Sequence, residues 1–196
     1  MTAATGETSD AVLARRAADG DEQAFSTLMR RYKEPIYRLL RRYTGDADEA
    51  YEAAQEAFIA AWGALARYDP DRPFGAWLRT IAINKARDRG RRMAVRRLLF
   101  STRPLEETGA VMQRDTAQAA EDLLADREDL AALDRAIARL PTALKESLLL
   151  TAFDGLSHRD AGSILRVSAK TVETRIYRAR KLLALALVSE KGEAPR

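Results

Sequence analysis

Phe25, Leu28, Tyr32, Ile36, Leu39 and Leu40 are spaced three and four residues apart, the repeat of one face of an α-helix. They predict a helix from Asp21, its N-cap, to about Tyr43, with Pro35 inside it marking a kink or brief break. Similar spacing recurs along much of the chain. Ser9 caps a short helix over Asp10 to Ala18, which Gly20 ends. Asp46 and Glu49 make a capping-box pattern, ahead of a helix to about Ala66 that buries Ala50, Ala54, Ala57, Phe58, Ala61, Trp62 and Leu65. Tyr68 to Arg72 reads as a turn. Pro73 then opens a helix with Phe74, Trp77, Leu78 and Ile81 as its inner stripe and Thr80, Asn84, Asp88 and Arg91 along a polar face.

Between Met93 and about Asp126 the periodicity fades among Ser101, Thr102, Pro104, Thr108 and Gly109, leaving at most a transient helix over 117–124. Helical spacing resumes with Leu130, Leu133, Ile137 and Leu140. Pro141 opens a helix that turns Leu144, Leu148, Leu149 and Ala152 inward. Ser157 with Asp160, and then Ser168, cap two further helices joined by a tight turn. In the second of these Val172, Ile176, Ala179 and Leu183 form the buried stripe, and Thr171, Thr174, Arg175 and Arg178 the opposite face. The prediction is an all-α fold: two small helical domains, 10–95 and 127–187, joined by a flexible linker, 96–126, and followed by a disordered tail, 188–196.

A helix with an inner apolar stripe and an outward row of Thr and Arg suits the major groove of duplex DNA. Charge distribution adds a second surface. Arg79, Lys85, Arg87, Arg89, Arg91, Arg92 and Arg96 face only Asp88 in their stretch, while 46–56 carries only acids. Separated blocks of opposite sign suit an anion such as nucleic acid at one place and a basic protein at another. Tyr68, Phe74 and Trp77 beside the basic helix are the ingredients of a single-strand track. Trp77 reads as core, whereas Phe74 and Tyr68 stay open between core and base stacking. Glu49, Glu52, Gln55, Glu56 and Ile59 form an acidic ridge with an apolar end, a docking face for a basic helix or an ordinary solvated face.

Composition narrows the classes. The 196 residues are 46% hydrophobic and 32% charged, with a net charge of +4 and no cysteine. That supplies packed cores and excludes a disulfide framework or zinc ribbon. No apolar run approaches a membrane span, and MTAATGETSD lacks the pattern of a signal peptide; a cytoplasmic chain is expected. The single histidine, His158, has no second ligand cluster, so no metal is expected. No catalytic constellation, Gly-rich phosphate loop or small-molecule substrate is indicated, and neither an enzyme nor a cofactor is expected.

Two segments resemble the extracytoplasmic-function (ECF, group IV) branch of the sigma-70 family of bacterial transcription initiation factors. The pieces DEQAF, GDADEAYEAAQEAFIAAW and RPFGAWLRTIAINKARDRGRR, within 21–92, look like region 2. The run LPTALKESLLLTAFDGLSHRDAGSILRVSAKTVETRIYRARKLL, within 130–185, looks like region 4. The resemblance implies an alternative sigma factor, in a stress or envelope response, that binds core RNA polymerase and promoter DNA. It implies docking of Glu49, Glu52, Gln55, Glu56 and Ile59 on the β′ clamp helices. It implies minus-ten recognition and strand capture by Phe74, Asn84, Arg87, Asp88, Arg91 and Arg92, and minus-thirty-five recognition by Arg166, Lys170, Thr171, Thr174, Arg175 and Arg178. The surface around Leu148 to Phe153 would meet the β flap, and an anti-sigma factor would hold the chain inactive.

Several residues depart from the family pattern. Tyr51 with Glu52 thins an acidic pair, Arg166 stands where a turn glycine is usual, Glu173 where a base is frequent, and Gly162 at a close helix contact. The competing reading is a stand-alone helix-turn-helix regulator that binds duplex without polymerase.

Overall fold

The computed structural model describes residues 8–100 and 130–190, and among them every regular element is helical. The N-terminal domain holds α1 (Asp10–Ala18), α2 (Glu22–Thr44), α3 (Ala47–Ala64), a short 3-10 turn (Leu65–Arg67) and α4 (Phe74–Phe100). The C-terminal domain holds α5 (residues 130–139), α6 (Thr142–Leu148), which widens into a π turn over Leu149–Phe153, then α7 (His158–Leu165) and α8 (Ala169–Glu190). The predicted linker beyond Phe100, its helix over 117–124 and the tail from 191 lie outside the described residues.

The helix starts follow from their caps. Side chains of Ser9, Asp21, Asp46 and Ser157 each accept from a backbone N–H in the first turn, satisfying donors that the helix itself leaves free. The box at Asp46 is half formed: Asp46 accepts from the Glu49 N–H at 2.8 Å, but Glu49 turns to Arg89 instead of reaching back. Gly45 ends α2 in the left-handed region, φ 79°. α2 runs unbroken through Pro35, so no break occurs there. α4 continues to Phe100, past the predicted boundary at 95, because Arg, Leu and Met favour helix and the next proline is Pro104.

The N-terminal core joins Leu13 of α1, Leu28, Ile36 and Leu40 of α2, Leu78 and Ile83 of α4, and the alanine face of α3. Ala50, Ala53, Ala57 and Ala61 are all buried, and their small side chains let α3 lie close against α2 and α4. Trp62, predicted as core, is 39% exposed. It packs one side on Phe25, ring centroids 4.9 Å apart, at the edge of a surface groove. Ala152, predicted to face inward, is exposed because the π turn shifts the face that each following residue presents.

In the C-terminal domain Ile137, Leu148, Leu149, Leu150, Ile164, Val172, Ile176 and Ala179 are buried together. A Cβ on Gly162 would lie 2.6 Å from the carbonyl oxygen of Val167. Replacing Gly162 with Ala should therefore lower stability, by about 1 kcal/mol net, the backbone crowding outweighing the better helix propensity of Ala. Urea unfolding checks this.

The two domains pack against each other through a largely polar seam. At its centre the Glu146 side chain, 2% exposed, takes Arg87 of α4 in a two-pronged pair at 2.6 and 2.5 Å and the hydroxyl of Tyr43 at 3.1 Å. Lys145 donates to the carbonyls of Tyr43 and Ala138. Arg79 meets Asp154 at 2.5 Å, and Arg42 lies over the Phe153 ring and 3.7 Å from Asp134.

Candidate nucleic-acid and partner interfaces

The helix-turn-helix forms as its caps and stripe dictate. Val172, Ile176, Ala179 and Leu183 are buried, leaving Lys170, Thr174 and Arg178 exposed and Thr171 and Arg175 half-buried on the outer side of α8. Two of the hydroxyls are engaged locally: Thr171 with Ser168 at 2.9 Å, and Thr174 with the Lys170 carbonyl at 2.9 Å. Glu173 pairs with Lys170 at 3.0 Å, and that hydrogen bond holds its carboxyl below the ordinary value. One cation of the row thus carries its own counter-charge, which lowers the pull of this end of the helix on phosphate.

Arg166 adopts φ 56° and ψ 46° at the end of α7, among the described residues the only non-glycine at positive φ. A Cβ in the left-handed region is disfavoured by about 1 kcal/mol. Arg166→Gly should raise the unfolding free energy by roughly that amount, read in thermal or urea unfolding, since glycine meets no such clash there.

On α4 the predicted minus-ten residues separate. Asn84 is exposed, its side-chain oxygen accepting from Arg87 at 3.3 Å, and Arg91 and Arg92 are exposed. Asp88 is half-buried and bonded to Arg91. Arg87 is held by Glu146, a bond that raises the guanidinium's pKa. Phe74 does not belong on this surface. It is 2% exposed, inside an aromatic cluster with Tyr32, Tyr68 and Trp77 at centroid distances of 5.1 to 5.5 Å. Its position at the first turn of α4, over the close approach of Gly75 to Tyr32, drives it into the core. Tyr68 is buried too, its hydroxyl on the Arg72 carbonyl at 2.6 Å. Trp77 is the half-exposed ring of the three, the reverse of the expectation.

The five residues of the acidic ridge face two ways. Glu49, Glu52 and Glu56 converge on Arg89 of α4 at 2.9, 2.5 and 2.8 Å. Burial works against the Arg89 charge, but the three carboxylates outweigh it and hold its pKa above the ordinary value. Gln55 and Ile59 instead edge a groove of about 790 Å³ between α2 and α3, with Phe25, Met29, Tyr37, Tyr51, Phe58 and Trp62 among its walls. The groove escaped the sequence reading because Trp62 was assigned to the core and Met29 to no site. Ile59 and Tyr51, 73% and 55% exposed, were its visible signal. The segment around Leu148 to Phe153 is core at Leu148, Leu149 and Leu150; Phe153 alone is open, beneath Arg42.

No helix among the described residues is long and apolar enough to cross a membrane.

Comparison with known proteins adds the rest. Residues 28–96 match sigma-70 region 2, and residues 130–183 match sigma-70 region 4. The chain is 37% identical over 182 residues, 93% of its length, to the RNA polymerase sigma factor NccH of Alcaligenes xylosoxydans xylosoxydans, covering 96% of that protein. It is 32% identical over 179 residues, 89% of its length, to the ECF RNA polymerase sigma-E factor of Escherichia coli K12, covering 92% of it. In three dimensions it is similar to CnrH, solved in complex with the cytosolic domain of CnrY, with a TM-score of 0.67 and 33% identity across 92% of this chain and 97% of that one. With both regions in place and relatives similar from end to end, the chain belongs to the ECF branch of the sigma-70 family, the sigma factors that direct RNA polymerase to promoters.

Proposed function

We propose a division of labour in which the α2–α3 face docks core polymerase and α4 and α8 hold two separate stretches of promoter. The observation that carries this is the exposed groove beside Ile59, an apolar surface that neither DNA-facing helix needs. Its neighbours Gln55 and Glu52 fit it for a basic amphipathic helix, such as a clamp helix of β′. Along α4, Asn84 is free to read a base edge and Arg91 and Arg92 to hold phosphate. Asp88 steadies Arg91. Along α8, Arg175 and Arg178, with Lys170, Thr171 and Thr174, face the major groove, and Arg166 flanks them at the turn. Phe153, at the rim of the C-terminal domain, is the part of its segment suited to the β flap.

CnrH binds the cytosolic domain of its partner CnrY. By analogy, an inhibitory partner of this chain would compete with polymerase for the α2–α3 groove. A stand-alone duplex regulator leaves that groove without a role.

Multi-round transcription with purified core polymerase on genomic fragments tests the reading. Adding the chain should create new start sites, each preceded by two short elements at fixed separation. Unchanged start sites would refute it.

A further inference from the structure

The seam between the domains is built from the residues that the active protein needs elsewhere. Glu146 is nearly fully buried, yet the side-chain hydrogen bonds to its carboxylate come only from Arg87 and Tyr43, both in the N-terminal domain. A buried carboxylate unmatched within its own domain is costly unless the other domain is present. Asp154 repeats the arrangement on Arg79, with both side chains largely buried. Gly45 and Ala138 bring the backbones together, so close that a Cβ on Gly45 would lie 2.8 Å from that of Ala138. Arg42 covers Phe153. Few apolar groups hold this seam, and its ionic partners can each be hydrated on separation, so it suits a contact that opens.

We propose that the Glu146–Arg87 pair is an autoinhibitory latch: it holds the two domains of the free chain closed, with Glu146 occupying the guanidinium that promoter DNA requires. The proposal rests on the assignment of Arg87 to the minus-ten surface. A carboxylate on Arg87 stands where a phosphate would, so closure and strand binding exclude each other. Asp154 withholds Arg79 in the same way, and the closed form covers part of the Phe153 face. Polymerase, by engaging the domains at separate places, would draw them apart and release Arg87. The free chain then binds promoter weakly without any inhibitor, because only its open fraction is competent.

A charge swap tests the latch in the full-length chain. Small-angle scattering should find Glu146→Lys and Arg87→Glu each expanded relative to wild type, and the double variant compact again. Lysine is as good a helix former as glutamate, and in the open chain position 146 faces water, so circular dichroism should be unchanged. Asp154→Lys is a second, rim-sited variant expected to expand the chain less. Glu146→Ala, which adds no positive charge, should bind a fluorescent non-template-strand oligonucleotide from a mapped promoter about tenfold more tightly than wild type, as expected if one chain in ten is open. Adding Arg87→Ala should remove that gain. Single charge variants as compact as wild type would overturn the latch. Expansion without tighter binding would overturn the masking of Arg87. Transcription by holoenzyme carrying Arg87→Ala separates the two failures. Normal activity would remove Arg87 from the promoter surface, and impaired activity beside a compact Glu146→Lys chain would sink the latch alone.

Discussion

Ile59→Lys should weaken capture of core polymerase by at least thirtyfold while leaving the chain as stable as before. Ile59 is 73% exposed, and substitutions at such positions usually change stability by no more than about 0.5 kcal/mol. In a docked complex the same side chain closes the rim of the groove beside Tyr51, Phe58 and Trp62. An apolar anchor at the centre of an interface commonly accounts for about 2 kcal/mol or more, and a lysine there also repels a basic partner. Glu52→Lys should do less. Its side chain is exposed and already shares Arg89 with Glu49 and Glu56, so the reversal trades one screened charge for another. Competition binding to core, with urea unfolding as the control, distinguishes a docking residue from a merely solvated one. Equal weakening by both variants would point to charge rather than to the groove.

Leu149→Ala should lower the unfolding free energy of the C-terminal domain by about 3 kcal/mol, within the 2–5 kcal/mol range for emptying a buried leucine site. Leu149 is fully buried, at the point where α6 widens into its π turn, and the surroundings there are too constrained by α8 to close over the void. Phe153→Ala, at a half-open ring under Arg42, should cost much less stability. If Leu149 instead acted as an exposed flap contact, its truncation would impair polymerase binding with stability intact. Urea unfolding resolves the two.

The secondary structure was legible because its signals are local. Asp21, Ser157 and Ser168 cap helices within three residues of themselves, and the stripe Val172, Ile176, Ala179, Leu183 lies on one face by spacing alone. Even the departure at Arg166 could be read, since the turn geometry fixes the sign of φ whatever residue stands there. What stayed hidden depends on partners distant in sequence. Arg89 looked like one of many cations for nucleic acid, yet its three glutamates lie 33 to 40 residues away. Arg87 and Glu146 are 59 apart, and Arg79 and Asp154 are 75 apart. No periodicity announces such pairs. Phe74 failed for a related reason: at a helix start, the same apolar residue can face the core or a ligand, and the neighbouring Tyr32, Tyr68 and Trp77 decide it.

The account's central claim is that one chain reads two promoter elements with two separate helices. Transcription from a template pool randomised at both elements, sequenced at the product, tests it most directly. With wild type the pool should narrow at both. Asn84→Ala should relax selection at the downstream element alone, and Arg175→Ala at the upstream element alone, since each removes a contact only its own helix makes. Selection unchanged in both variants, or relaxed at both elements by either one, would contradict it.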